Sequence, residues 1–546
     1  MVKFKRGHLY YPEIPIHKIL EDTSIRFPER LAFLYPEEMT FKQFKQKVDI
    51  FATILKNIGV NKGDRVALYS PNSIPWEISF FGLEKAGAIL VPMNPQFKQN
   101  EVEYEANDSG AETIIVSQHE YPNVAAVKDK TNIKNVIVIQ SEQIPNLPNG
   151  TYSWDDMMKN TKSNPPEYEF NVKADLAALV YTSGTTGLPK GTMLTHYNLV
   201  SNIVQVSQTF ELSELDIAIM ALPLYHIYGL NVGMNQAILL GAAQVVMPRF
   251  NVKEFCELLE KYQVSYSLCV PPIFLDVVRH LEDPNVKGYN WENLKIFNNG
   301  AAPIPLELLE RFDKLAKLKC NAKEATIQHG WGLTEASPVV AVNPMYRRKM
   351  ESQGTLLSDT FHKIIDLETG VEIPERGQVG ELVIKGPQVM KGYWNKPEAT
   401  NNAFWINPKT GEKWLRTGDM AYIDEEEYEY LMDRIKEMIK YKGWSIAPAE
   451  LEDLLFKNPK VFDAAVIGKP STELDVGQIP KAYVILKPES KGKINEQEIM
   501  DWVAERISAY KKIREVEFVD EIPKSGSGKI LRRKLVEREK NKLGIK

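Results

Sequence analysis

Apolar residues recur at helical spacing over 40–58, 76–85 and 99–107, and short β-branched-rich runs fill 65–69, 88–93, 113–117, 135–140 and 176–182. A period near 3.6 predicts helices with one buried face, and near-continuous apolar runs predict buried strands. The alternation returns with strands over 244–247, 265–270 and 294–298 and a helix over 305–318. Buried strands between amphipathic helices predict an α/β fold of layered subdomains. From about Gly354 the texture changes. Turn residues crowd together at Glu368-Thr369-Gly370, Gly377, Gly380, Gly386-Pro387, Asn407-Pro408 and Gly411, and period-two alternation marks 381–385. This predicts a β-rich subdomain over about 354–434. Beyond it, helices over 448–457 and 495–510 and strands over 463–467, 481–486 and 515–519 predict a small α+β unit. The expected organisation is therefore a large N-terminal domain, 1–434, and a small C-terminal one, 435–546.

One stretch tests the pattern. From Ile217 to Met247 there is no Asp, Glu, Lys or Arg, which is long enough to cross a bilayer. It carries Pro223, His226, Asn231, Asn235, Gln236 and Gln244, polar groups costly against lipid. It is read as strand, loop and buried helix. The N-terminus lacks the apolar core of a signal peptide. A net charge of −5 on 546 residues gives no global field for nucleic acid or anionic lipid. Cys256, Cys269 and Cys320 are few, odd in number and far apart, which predicts neither a disulfide framework nor a zinc site. A reducing, cytoplasmic setting is expected.

The chemistry begins after the run 176–180. Tyr181-Thr182-Ser183-Gly184-Thr185-Thr186-Gly187-Leu188-Pro189-Lys190-Gly191 offers hydroxyls, close backbone N–H groups and one cation, which is what phosphates need at short range. It is not a Walker loop, because Lys190 lies between Pro189 and Gly191, and Gly526-Ser527-Gly528-Lys529-Ile530 fails the same spacing. No G-x-G-x-x-G opens a helix, so a dinucleotide fold is unsupported.

Residue for residue, the 181–191 loop resembles the signature of the adenylate-forming superfamily of acyl-CoA synthetases, coumarate ligases, luciferases and peptide-synthetase adenylation domains. Four further segments resemble its motifs in order: His329-Gly330-Trp331-Gly332-Leu333-Thr334-Glu335, Leu415-Arg416-Thr417-Gly418-Asp419, Asp433-Arg434-Ile435-Lys436 through Gly443 to Glu452, and Pro523 to Lys529. The resemblance implies that Thr182, Ser183, Gly184, Thr185, Thr186, Gly187 and Lys190 hold ATP phosphates. It implies that Gly300, Ala301, Ala302, Trp331, Gly332 and Thr334 surround the nucleotide, and that Asp419, Arg434 and Gly443 complete its site. Glu335 and Thr186 would hold Mg2+, a hard cation that keeps phosphate oxygens in its shell. Lys529 would offset repulsion between two anions as the acid attacks the α-phosphate. His226 would sit beside the substrate carboxylate, with Tyr228 lining the acyl pocket. Lys440 would serve the second step, after the C-terminal domain swings about a hinge near Lys436. Taken singly, several of these have plainer readings: Glu335 a helix-start charge, Asp419 an Asp in a glycine turn, His226 a core histidine.

The implied activity is AMP-forming acid–thiol ligation, with ATP, Mg2+ and coenzyme A. The chain stops soon after Lys529, which points to an external thiol. The segment 222–229 holds no acid, which favours a plain carboxylic acid over an amino acid. Trp331 stands where Tyr is usual, His329 where Gln or Asn is usual, and Asn299 where Ser is common, so the size of the acid stays open. A short- or medium-chain fatty acid is expected first, then a hydroxy acid such as hydroxybutyrate or an aryl acid. A carrier-protein acyl-AMP ligase and a non-catalytic adenylate-binding relative are the rivals. A homodimer is the family's expectation.

Overall fold

A computed structural model describes residues 7–139, 147–182, 188–302, 304–323, 325–441, 444–471, 477–524 and 530–543. Local sequence sets where elements begin. The Phe41–Asn57 helix opens on a reciprocal cap: Thr40 Oγ1 accepts from Gln43 N at 3.2 Å, and Gln43 Oε1 accepts from Thr40 N at 2.9 Å. Its inner face carries Phe41, Phe44, Val48, Phe51 and Leu55 into the main core. The Ile74–Lys85 helix is buried nearly all round, where a one-faced helix is expected over 76–85. The reason is its place against other elements: Glu77 meets Gln244 of the Ala243–Val246 strand, and Trp154 donates to Ser79 at 3.2 Å.

Eight strands form the first sheet, in the order Gly392–Tyr393, Lys190–Thr195, Leu176–Thr182, Ile89–Met93, Arg65–Tyr69, Thr113–Ser117, Asn135–Ile139 and Thr151–Ser153. The last six are parallel; the first two join antiparallel. The second sheet has fifteen strands. Its parallel half runs through Leu31–Tyr35, Ala243–Val246, Ile217–Met220, Tyr266–Cys269, Ile296–Asn299 and Thr326–Gly332. From Thr326–Gly332 it continues antiparallel through Val339–Val342, Gly354–Leu356, Tyr428–Arg434 and Lys413–Ile423. The β-rich texture after Gly354 thus extends the α/β sheet, and Gly392–Tyr393 returns to the edge of the first one.

The stretch 217–247 is strand, loop, a π-helical segment Tyr228–Asn235, the Gln236–Leu240 helix and strand. Among the described residues no helix is long and apolar enough to cross a membrane. Strands Val461–Pro470, Gln478–Leu486 and Glu515–Phe518 form a third sheet, with helices Pro448–Phe456, Glu496–Ala504 and Arg532–Leu543 around cores of their own. The helix expected over 495–510 stops at Ala504; Ile507 reaches the same core from the connecting segment and Tyr510 from a short 3-10 helix, Ala509–Lys511. All three cysteines are buried and free.

Candidate active site

Two of the phosphate-binding candidates, Thr182 and Lys190, sit on paired strands. Leu176–Thr182 and Lys190–Thr195 pair antiparallel with Thr182 opposite Lys190 and Tyr181 opposite Gly191. Ser183, Gly184, Thr185, Thr186 and Gly187 lie outside the described residues. Lys190 Nζ stands 4.3 Å from the ring centroid of Tyr393. The Tyr393 hydroxyl donates to Glu335 Oε1 at 2.7 Å, and Met390 N donates to Glu335 O at 2.8 Å. Burial, and then the Glu335 charge, push the Tyr393 phenol well up, so it remains a donor. Lys190, Tyr393 and Glu335 therefore form one group, with Thr334 in the same short turn, Thr334–Ala336. Tyr393 is absent from the sequence reading; only its place after the Gly386-Pro387 turn hinted at it. Among the described residues no group of three or more His, Cys, Asp or Glu gathers as a metal site. A single carboxylate such as Glu335 fits Mg2+ where bound phosphates supply most of the other ligands.

Asp419 and Arg434 face each other across paired strands, with Arg434 Nε 2.7 Å from Asp419 Oδ1. Arg434 Nη1 also donates to Thr417 O at 2.8 Å, and Asp419 N to Thr417 Oγ1 at 3.1 Å. The carboxylate is buried and held in one orientation by a cation.

The central parallel strands end in buried polar groups, in register: Asn298 opposite Gln328 and Asn299 opposite His329. Asn298 Nδ2 donates to Gln328 Oε1 at 3.2 Å, and Asn299 Nδ2 lies 2.8 Å from His329 Nδ1. Tyr228 OH donates to Asn298 Oδ1, and its ring packs so close to Gly300 that a Cβ there would lie 2.9 Å from it. Ala301 takes φ 68° and Ala302 N bonds back to Gly300 O at 2.9 Å, a tight turn beyond the strand. Trp331 is partly buried against the core, on the strand that ends at Gly332. His226 Nδ1 accepts from Tyr228 N at 3.2 Å, which leaves its proton on Nε2. Burial lowers both His226 and His329 to about 4, so each is neutral at neutral pH. Asn72 also escaped the sequence reading. It grips the His226 loop, donating to Leu222 O at 2.8 Å and accepting from Leu224 N at 2.8 Å. A lone Asn after a strand carries no signal of that.

Lys440 belongs to the C-terminal part, on the Ile439–Tyr441 strand, with its N–H on Gln478 Oε1 at 2.9 Å. Gly443 and Lys529 lie outside the described residues. Lys524 and Ile530, described residues on either side of Lys529 in the sequence, pair in an isolated antiparallel bridge. Next to it, Arg532 grips Glu437 at 2.5 Å and Glu452 at 2.6 Å. Arg279 lies 3.6 Å over the Phe462 ring, where the two parts of the chain meet.

The model of the AMP-binding enzyme family matches residues 20–394, and that of the AMP-binding enzyme C-terminal domain matches 450–529. The 4-coumarate–CoA ligase of Pinus taeda is 39% identical over 494 residues, covering 88% of this chain and 86% of that one. The chain belongs to the AMP-binding enzyme family, among its acid–CoA ligases. Within that family it resembles the crystal structure of a long-chain-fatty-acid–CoA ligase from Archaeoglobus fulgidus. The TM-score is 0.74 and the identity 35%, over 95% of this chain and 99% of that one. It also resembles ATP-bound MatB from Rhodopseudomonas palustris, with a TM-score of 0.84 at 25% identity over 96% and 99% of the two chains. The α/β fold with a smaller C-terminal part agrees with both.

Proposed function

We propose that this ligase activates an aryl carboxylic acid bearing a hydroxyl group, forming acyl-AMP and pyrophosphate from Mg-ATP, and then passes the acyl group to coenzyme A. The observation that favours a hydroxylated acid over a plain one is Asn299. Its Oδ1 is fully buried beside Gly300 and His329 and, among the described residues, meets no hydrogen-bond donor. A buried acceptor is costly unless a donor meets it. A substrate hydroxyl would supply one, and a saturated chain would not. The likeness to 4-coumarate–CoA ligases supports the same reading. The fatty acid expected first from the sequence becomes the second reading, supported by the likeness to the fatty-acid–CoA ligase structure.

In this reading Lys190 and the 183–187 segment bind phosphates, Trp331 faces the adenine, and Asp419, held by Arg434, accepts from the ribose hydroxyls. Glu335 would hold Mg2+, which neutralises phosphate charge when bound. His226, neutral with its proton on Nε2, donates to an oxygen of the acid and keeps it in place for attack. Lys529 serves the first step; Lys440 and Gly443 serve the second.

Coenzyme A-dependent AMP release, measured with hydroxycinnamate, cinnamate, benzoate, hydroxybutyrate and straight-chain acids, decides it. The expected result is highest kcat/KM with the hydroxylated aryl acid. Asn299→Leu should lower its preference over plain cinnamate by roughly tenfold, the scale of one lost buried hydrogen bond. A maximum with straight-chain acids would sink the aryl reading. Acid-dependent pyrophosphate exchange without use of coenzyme A would make the chain a carrier-protein ligase.

A further inference from the structure

The Gln99–Ser109 helix packs its apolar residues Val102 and Ala106 into the core of the first sheet. Two of its polar side chains point to the phosphate hairpin instead. The Tyr104 hydroxyl donates to Pro189 O at 2.7 Å, and Asp108 Oδ2 accepts from the Tyr181 hydroxyl at 2.8 Å. Residues four apart share a helix face, so one face touches the hairpin at Tyr181 on its first strand and at Pro189, just before its second. Burial, and then the bond to Asp108, push the Tyr181 phenol up, so it stays a donor. Its ring lies across the base of the hairpin, where a Cβ at Gly191 would come within 3.2 Å of it. Gly191 O in turn accepts from Trp394 N at 2.8 Å.

Asp108 has a second grip. Its Oδ1 accepts from Lys396 Nζ at 2.8 Å, with the carboxylate side chain only 9% exposed. Lys396 N bonds to Tyr393 O at 3.3 Å, which ties Lys396 to the residue that touches both Lys190 and Glu335. One carboxylate thus joins the hairpin to the 392–396 segment, whose strand pairs with Lys190–Thr195 and whose Tyr393 touches Lys190 and Glu335.

We propose that Asp108 and Tyr104 are positioning residues that fix the phosphate hairpin against the 392–396 segment for adenylate formation. The proposal rests on the reading of 183–190 as the ATP phosphate site. It makes a distinction that a purely structural role does not. Adenylate formation needs the β- and γ-phosphates held, whereas thioester formation from a supplied acyl-adenylate does not. Misplacement of a binding loop should therefore appear in the first half-reaction alone.

The test uses the full chain with Asp108→Ala, Asp108→Asn, Tyr104→Phe and Tyr181→Phe, each checked by thermal melting. For Asp108→Ala the expected result is a rise of roughly tenfold in KM for MgATP in acid-dependent pyrophosphate exchange. Thioester formation from synthetic acyl-AMP should stay within about twofold of wild type. Asp108→Asn, which still accepts from Tyr181, should recover part of the loss. Tyr181→Phe combined with Asp108→Ala should cost no more than Asp108→Ala alone, because the two act through one bond. Equal losses in both half-reactions, or unchanged KM in an active enzyme, would overturn the proposal alone. If wild type shows neither exchange with any acid nor a melting shift with MgATP, the reading of the loop fails and takes the proposal with it.

Discussion

At the scale of residues, the group Lys190–Tyr393–Glu335 has the clearest consequence. Tyr393 touches the cation with its ring and the carboxylate with its hydroxyl. Tyr393→Phe keeps the ring and removes one hydrogen bond to a charged group, worth about 1.5–3 kcal/mol. The expected outcome is a KM for MgATP roughly tenfold higher, with kcat and melting temperature little changed. Steady-state pyrophosphate exchange over a range of MgATP checks it; an unchanged KM would mean that Glu335 needs no such support. Lys190, Glu335, Asp419 and Arg434 were legible in the sequence because each sits inside a motif. Tyr393 and Asn72 were not, because each acts on a partner tens to hundreds of residues away along the chain and no local pattern records that. The separate pairing of Asn299 with His329 depends on strand register, which the sequence does not print either.

At the scale of elements, the Ile74–Lys85 helix is the unusual one, with Glu77 and Glu84 wholly buried on it. Burial raises Glu77 from 4.5 to about 8, against the lowering effect of its bond from Gln244. The sign follows: the folded state keeps a proton that the unfolded state loses above pH 4.5. The stability this provides is complete below pH 4.5 and is lost as pH rises toward 8. Each pH unit in that window weakens folding about tenfold for this one group. Glu77→Gln keeps the shape and removes the titration. Urea unfolding of both proteins at pH 5 and pH 8 should show the variant gaining relative stability at pH 8 by roughly a few hundredfold in the folding constant. Equal shifts in both proteins would mean that Glu77 is ionised in the fold. The strands of the first sheet were readable from apolar runs because both their faces are buried. The full burial of this helix was not, since two acids on it imitate a solvent face.

At the scale of the whole molecule, the sequence of the small C-terminal part places Lys440 before and Lys529 after the three strands of the third sheet. If it presents them in turn, with the hinge at Lys436, the two steps separate by mutation. Lys529→Ala should reduce acid-dependent pyrophosphate exchange by roughly a hundredfold or more, yet leave thioester formation from supplied acyl-AMP within a few-fold. Lys440→Ala should do the reverse. Matching losses of both half-reactions in a folded Lys529→Ala protein would refute this division. Change of texture along the chain marked this part in the sequence. The continuity of the fifteen-stranded sheet through Gly354 stayed hidden, because turn-rich strands look the same whether they form a sheet of their own or extend another.

The three buried cysteines have a further meaning for a catalyst that makes mixed anhydrides and thioesters. Burial pushes Cys269 and Cys320 up to about 12 and Cys256 higher still. Only a thiolate attacks an activated acyl group at useful speed, and none of these thiols becomes one near neutral pH. The enzyme's own thiols therefore offer no competitor for its activated product: self-acylation at cysteine is closed off by chemistry as well as by burial.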